Sequence, residues 1–215
     1  IDAFSPVHGA PVALPLTHPK TQRLHINGYY LQDQIRAGRW SADLALRHDR
    51  GMSRYDDYNT TQRSTRSHTT YNLGLLYRAA NGWSPYVNQS TSFVPVLGAN
   101  FNAAPLRTDT GRQLEIGLKY QPPGTDALYT VSAFELTRRS SFGGSQRHYA
   151  DLEIAPSVVR ARGVELEARF PLGARLRALA SYTWLDARVL ESEDDTQVGK
   201  RPRQSARHSA SLWLD

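Results

Sequence analysis

Between Gly163 and Trp184 the chain reads GVELEARFPLGARLRALASYTW. Val164, Leu166, Ala168 and Phe170 share one parity, and Glu165, Glu167 and Arg169 the other. Successive side chains of a β-strand point to opposite sides, so a period of two marks a strand whose faces meet unlike environments. After Pro171 and Gly173 the pattern restarts. Leu176, Ala178, Ala180, Tyr182 and Trp184 now oppose Arg175, Arg177, Ser181 and Thr183, with Leu179 out of step. The two runs predict antiparallel strands joined by a tight turn. The same signal recurs along the chain and predicts about nine strands: Arg23–Ile35, Trp40–Asp49, Thr69–Arg78, Ser84–Phe93, Arg112–Gln121, Ala127–Thr137, Val158–Phe170, Arg175–Ala187, and one from Ala206 onward. Asp33 is an exception, sharing a parity with Tyr29, Leu31 and Ile35, and is expected near one rim of the sheet.

The connections carry a second pattern. RAGR, AANGW, QPPGTDA and PLGA are short and rich in Gly, Pro or Asn, as hairpin turns require. Between them come the long polar segments GMSRYDDYNTTQRSTRSH, VPVLGANFNAAPLRTDTG, RRSSFGGSQRHYADLEIAPS and RVLESEDDTQVGKRPRQS. Strict alternation of short and long collects all short turns at one end of the sheet and all long loops at the other. That is the plan of an outer-membrane barrel, with short periplasmic turns and long extracellular loops. A soluble sandwich, the competing reading, has no reason to keep this order, and its strands are shorter. In the barrel reading Leu166, Phe170, Tyr182 and Trp184 face lipid, while Glu165, Glu167, Arg169, Arg175 and Arg177 face a hydrated interior.

Composition narrows this further. Only 40% of the 215 residues are hydrophobic, and no run approaches the roughly 20 apolar residues that cross a bilayer as a helix. A barrel strand needs apolar residues only at alternate positions, so it survives this count. The absence of Cys excludes a disulfide scaffold. The formal charge of +6 comes from arginines scattered through strands and connections, so no nucleic-acid partner is expected. The first residue is Ile1 and the last segment, SLWLD, lies inside a strand pattern, so a longer parent chain is expected.

Taken in order, IDAFSPVHGAPV, GYYLQDQIRAGRWSADLALRHD, GRQLEIGLKYQPPGTDALYTVSAFELTRR, VRARGVELEARF, ASYTWLDARV and RHSASLWLD resemble successive segments of TonB-dependent siderophore receptors of the ferrichrome and hydroxamate type. The resemblance runs along nearly the whole chain. It implies an all-β fold: residues 1–215 would be a partial antiparallel transmembrane β-barrel domain, about nine strands of a 22-stranded barrel. The N-terminal plug and the TonB box of such receptors would lie outside these residues. It also implies a bacterial outer-membrane location, a ferric siderophore of hydroxamate type as the ligand carried, outer-membrane lipid as surroundings, and coupling to the TonB complex through the plug region. No resident cofactor is implied; haem or cobalamin as cargo is the alternative. His8, Thr108 and Leu114 stand where the family commonly has Tyr, Pro and Tyr.

Candidate chemistry is sparse. The histidines at 8, 18, 25, 48, 68, 148 and 208 show no metal-ligand spacing and read as loop or rim residues. Glu165 and Glu167 share a face and could form an acid and base pair, but arginines on that face and on the next strand favour a lumenal charge ladder. FGGS at Phe142 lacks the Lys of a phosphate loop. The acidic run ESEDD reads as a solvated loop face, and no signature of an enzyme is found. The candidate ligand contacts are the loop aromatics Tyr55, Tyr58, Phe101, Phe142 and Tyr149, because rings beside Arg or Gln donors suit a bulky, oxygen-rich iron chelate.

Overall fold

The computed structural model describes residues 21–57, 60–96, 108–140, 157–173, 175–192 and 194–215. Nine strands form one sheet: β1 (Thr21–Ala37), β2 (Trp40–Asp57), β3 (Thr60–Tyr77), β4 (Trp83–Val94), β5 (Asp109–Tyr120), β6 (Leu128–Ser140), β7 (Ser157–Leu172), β8 (Leu176–Glu191) and β9 (His208–Leu214). Each pairs antiparallel with its sequence neighbours, in the spatial order β1 to β9. The sheet is open, with β1 and β9 as its edges.

Directly opposed residues share a face, so the registers assign every side chain. Leu118 lies opposite Val131, which lies opposite Leu166, then Tyr182, then Ala210. Pro85, Val87 and Ile116 continue this face through β4 and β5, and Leu44, Leu46, Leu73 and Leu75 through β2 and β3. The large apolar side chains on it are exposed: Leu46 at 52% and Ile116 at 56%. Among the described residues the buried apolar side chains are only Ala127, Val158, Ala178, Ala187 and Val189. A soluble sandwich would enclose its large aliphatics between two sheets. Here they form one continuous outward band far larger than soluble monomers tolerate, and the soluble-module reading falls with it.

The band is bordered by aromatic rings. Trp40 packs on Tyr77 at 4.8 Å, Trp83 on Tyr120 at 4.2 Å, and Tyr120, Tyr129 and Phe170 follow at 6.4 and 6.3 Å. All six rings sit beside the short turns, where an amphipathic girdle belongs at one membrane interface. Each of those turns carries a glycine in the left-handed region, among them Gly38 at φ 58° and Gly173 at φ 73°. Asp33 faces outward opposite Leu44, near this girdle, where a carboxylate costs little.

Two expectations are corrected. The segment Gly51 to His68 is not a long loop: β2 continues to Asp57 and β3 begins at Thr60, with unbroken register between them. At about 3.3 Å per residue these 18-residue strands reach roughly 60 Å, well beyond the 9–11 residues that cross a bilayer. Strict alternation therefore holds at three of the four expected long connections, residues 95–108, 141–156 and 192–207, while the remaining one is a tall hairpin at the same end. The described histidines are also not loop residues: His25, His48, His68 and His208 stand on β1, β2, β3 and β9.

This two-sided arrangement predicts the effect of charge on each face. Ile116→Arg should destabilise the parent receptor by about 2–4 kcal/mol in lipid, whereas Lys119→Glu should change stability little. Thermal unfolding of the receptor in vesicles, followed by its shift in gel migration, measures both.

Candidate functional site

The inner face is mostly polar across the middle of the sheet, interrupted by apolar side chains such as Leu76, Phe134, Leu136 and Leu179. One row runs Tyr86, Gly117, Ser132, Glu165, Thr183 and Ser209, and the next runs Ser84, Lys119, Thr130, Glu167, Ser181 and Ser211. The hydrogen bonds on it are mostly cross-strand. The Tyr86 hydroxyl donates to Glu115 Oε1 at 2.7 Å, Gln113 Nε2 donates to Glu115 Oε2 at 3.1 Å, and Asn88 Nδ2 donates to Asn72 Oδ1 at 2.9 Å. Lys119 Nζ lies 5.1 Å from the centre of the Tyr86 ring. Near the upper end, Arg138 and Ser140 donate to Asp109 at 3.1 and 2.8 Å, and Arg47 forks onto Asp49 with two 2.7 Å bonds. Asp49 is 1% exposed, and pairing is what makes a buried carboxylate tolerable.

Glycines make room for this layer. A Cβ at Gly117 would stand 2.5 Å from the Tyr86 ring, so only glycine lets the phenol cross β5 and reach Glu115. At Gly163 a Cβ would meet the Phe134 ring and the backbone oxygen of Trp184, both at 2.6 Å.

Glu165 and Glu167 lie on this face as expected, opposite Thr183 and Ser181. Among the described residues no ion pair joins either to Arg169, Arg175 or Arg177. The expected lumenal ladder is thus a shared wet face and not a chain of contacts. Ion pairs gather on the outer face above the apolar band: Arg162 with Glu135 at 2.5 Å, and Asp186 with Arg188 and Arg201 at 3.1 and 3.3 Å. No group of His, Asp and Glu suited to a metal ion occurs among the described residues.

Of the five candidate ligand contacts, Tyr58, Phe101, Phe142 and Tyr149 lie outside the described residues, as does FGGS. Tyr55 is on β2, not in a loop. It faces inward, half-buried, opposite Gln22 on β1 and Gln62 on β3. The Gln62 Oε1 atom is buried and has no hydrogen-bond partner among the described residues. The ring and this buried acceptor share the inner wall of the tall hairpin. Sequence reasoning missed Gln62 because its partnership with Tyr55 appears only in the register. In the ESEDD run, Asp194 caps the short turn Asp195–Gln197 by accepting from Thr196 N at 3.0 Å, Thr196 Oγ1 at 2.6 Å and Gln197 Nε2 at 3.2 Å. Those bonds, from Thr196 first, hold its carboxyl below the usual carboxylate range.

A family model described as TonB dependent receptor-like, beta-barrel, matches residues 2–215. The ferrioxamine B receptor of Salmonella typhimurium (strain SL1344) is 34% identical over 217 residues, covering 100% of the chain and 30% of that receptor. The ferrichrome outer membrane transporter/phage receptor of Escherichia coli (strain K12) is 30% identical over 192 residues, covering 87% of the chain and 25% of the transporter. The chain thus spans less than a third of the length of these relatives. Among solved structures, the ferric preacinetobactin receptor of Acinetobacter baumannii superposes with a TM-score of 0.73 at 23% identity, over 91% of the chain and 30% of that structure.

The glycine contacts predict an order of damage in the parent receptor. Gly163→Ala should cost about 1–3 kcal/mol, because the backbone oxygen of Trp184 cannot step aside, and Gly117→Ala should cost less, because the Tyr86 ring can swing away. Urea unfolding of the two variants in lipid vesicles should rank them in that order.

Proposed function

The chain belongs to the TonB-dependent receptor β-barrel family, and from that membership we propose that residues 1–215 form one segment of an outer-membrane importer of ferric siderophores, of hydroxamate type. The observation that carries the proposal is the pairing of faces: an outward apolar band girdled by aromatics, and an inward wall of hydroxyls, amides and carboxylates beneath a tall hairpin. The apolar band sets the sheet in hydrocarbon, and the polar wall gives a hydrated path for a chelate that lipid would exclude. The names of the ferrioxamine B and ferrichrome relatives support a hydroxamate ligand.

In this reading the inner wall of the tall hairpin takes the chelate at the cell surface. Tyr55 supplies a ring against which a hydroxamate arm packs, beside the amide of Gln62, whose buried Oε1 is unpartnered among the described residues. The chelated iron is cargo, not a resident cofactor, and the role is that of a receptor rather than an enzyme. Energy reaches the barrel from TonB through the N-terminal plug of the whole receptor.

The test is calorimetric titration of the parent receptor with ferrioxamine B, ferric citrate and haem. The hydroxamate chelate should bind most tightly, and Tyr55→Ala should weaken it about tenfold, equivalent to about 1.4 kcal/mol. Preferred binding of haem, with ferrioxamine B inert, would overturn the cargo assignment.

A further inference from the structure

On the inner wall of the tall hairpin, three cross-strand rows lie below Tyr55. They are Leu24, Ser53 and Ser64, then Ile26, Gly51 and Arg66, then Gly28, Asp49 and His68. A Cβ placed at Gly51 would stand 3.9 Å from Leu24 Cδ1 and 4.0 Å from Ile26 Cγ1. The two aliphatic side chains therefore lean over the bare backbone of β2 and form one apolar patch, with Ile26 43% exposed. Lipid does not account for this patch, because it faces inward. Packing does not account for it either, because the hairpin is part of a single sheet and no second layer covers it among the described residues.

Beside the patch stands Arg66, exposed on the same wall. Among the described residues no ion pair joins it. The carboxylates of the upper inner wall are engaged elsewhere. Asp49, one row below, is 1% exposed and holds the Arg47 fork. Asp109, further round the wall, accepts from Arg138 and Ser140. Asp57 stands at the hairpin tip, six residues and roughly 20 Å beyond Gly51. Below the tip, Arg47, Arg66 and Arg138 thus face two carboxylates, and Arg66 is the cation left over.

The order of these surfaces identifies a ligand chemistry. Tyr55 is four residues up β2 from Gly51, roughly 13 Å along the strand, so the wall presents a ring, an aliphatic patch and an unpaired guanidinium within the length of one extended chelate. A linear ferric hydroxamate has polymethylene spacers between its chelating groups, and these suit the ring and the patch. A carboxylate at its end would receive two parallel N–H···O bonds from the Arg66 fork. An ammonium at the same place would meet a like charge.

We propose that Leu24, Ile26 and Arg66 form a subsite that selects, among ferric hydroxamates, chelates ending in a carboxylate over those ending in an amine. The subsite rests on the hydroxamate reading given above and narrows it.

The experiment titrates three ferric trihydroxamates of one common backbone into the parent receptor, purified in detergent. They are ferrioxamine B, which ends in an ammonium, its N-acetyl derivative, uncharged at that end, and its N-succinyl derivative, which ends in a carboxylate. The wild type should bind the N-succinyl form about tenfold more tightly than the N-acetyl form, with ferrioxamine B weakest, and the preference should shrink as salt is raised. Arg66→Gln should bring the N-succinyl form to the level of the N-acetyl form and leave the latter unchanged. Arg66→Lys should recover part of the preference, because it keeps the charge without the fork. Ile26→Ser should weaken all three alike. A wild type that does not distinguish the three chelates, or an Arg66→Gln variant that keeps the N-succinyl preference, would overturn the subsite and leave the hydroxamate cargo standing. Unchanged affinities in Ile26→Ser would overturn the role given to the patch. Failure of all three to bind the wild type would overturn the hydroxamate reading, and the subsite with it.

Discussion

Inside hydrocarbon no water is available to pair with a backbone amide, and each group left open costs several kcal/mol. Every strand at that depth must therefore be bonded on both sides along its whole crossing. Each of the seven inner strands has a partner on both sides, with long registers at most junctions and a short one, Asn72–Leu76 against Tyr86–Ser90, between β3 and β4, while β1 and β9 each pair on one side. In a closed barrel of this family those edges meet further strands. The demand for complete pairing also explains why the turns at one end are so tight, and why the glycines that permit them cannot be exchanged freely.

Once pairing is settled, the side chains have only two environments to satisfy. Outward positions are occupied by Leu, Ile, Val and aromatic residues, the rings concentrated at the level of Trp40, Tyr120 and Phe170. Inward positions in the middle of the sheet are mostly polar, and the glycines Gly117 and Gly163 let the Tyr86 and Phe134 rings lie over the sheet. The function proposed for the chain is a consequence of this division, since a polar chelate can traverse only the inner side.

The two unlike environments also decide what could be read from the sequence. Leu114, Ile116, Leu118 and Tyr120 alternate with Gln113, Glu115 and Lys119, and all nine strands, their faces and the girdle were legible wherever lipid and water lay on opposite sides. Above the bilayer both faces meet water, the period of two fades, and Gly51 to His68 read as a loop although it continues β2 and β3. Tyr55 was misplaced with it. The hydrogen bond of Tyr86 to Glu115 and the juxtaposition of Tyr55 with Gln62 were illegible for another reason: they depend on residues brought together by register, which no local pattern encodes.

The division of environments can be measured directly. Nitroxide labels placed singly from Gln113 to Tyr120, and again from Met52 to Asp56, in the vesicle-embedded parent receptor would report collision rates with dissolved oxygen and with a water-soluble nickel complex. Oxygen should dominate at Leu114, Ile116 and Leu118 and nickel at Gln113, Glu115 and Lys119, with nickel dominant throughout Met52 to Asp56. Absence of alternation along β5, or oxygen dominance at Glu115 and Lys119, would contradict the two-faced sheet on which the account stands.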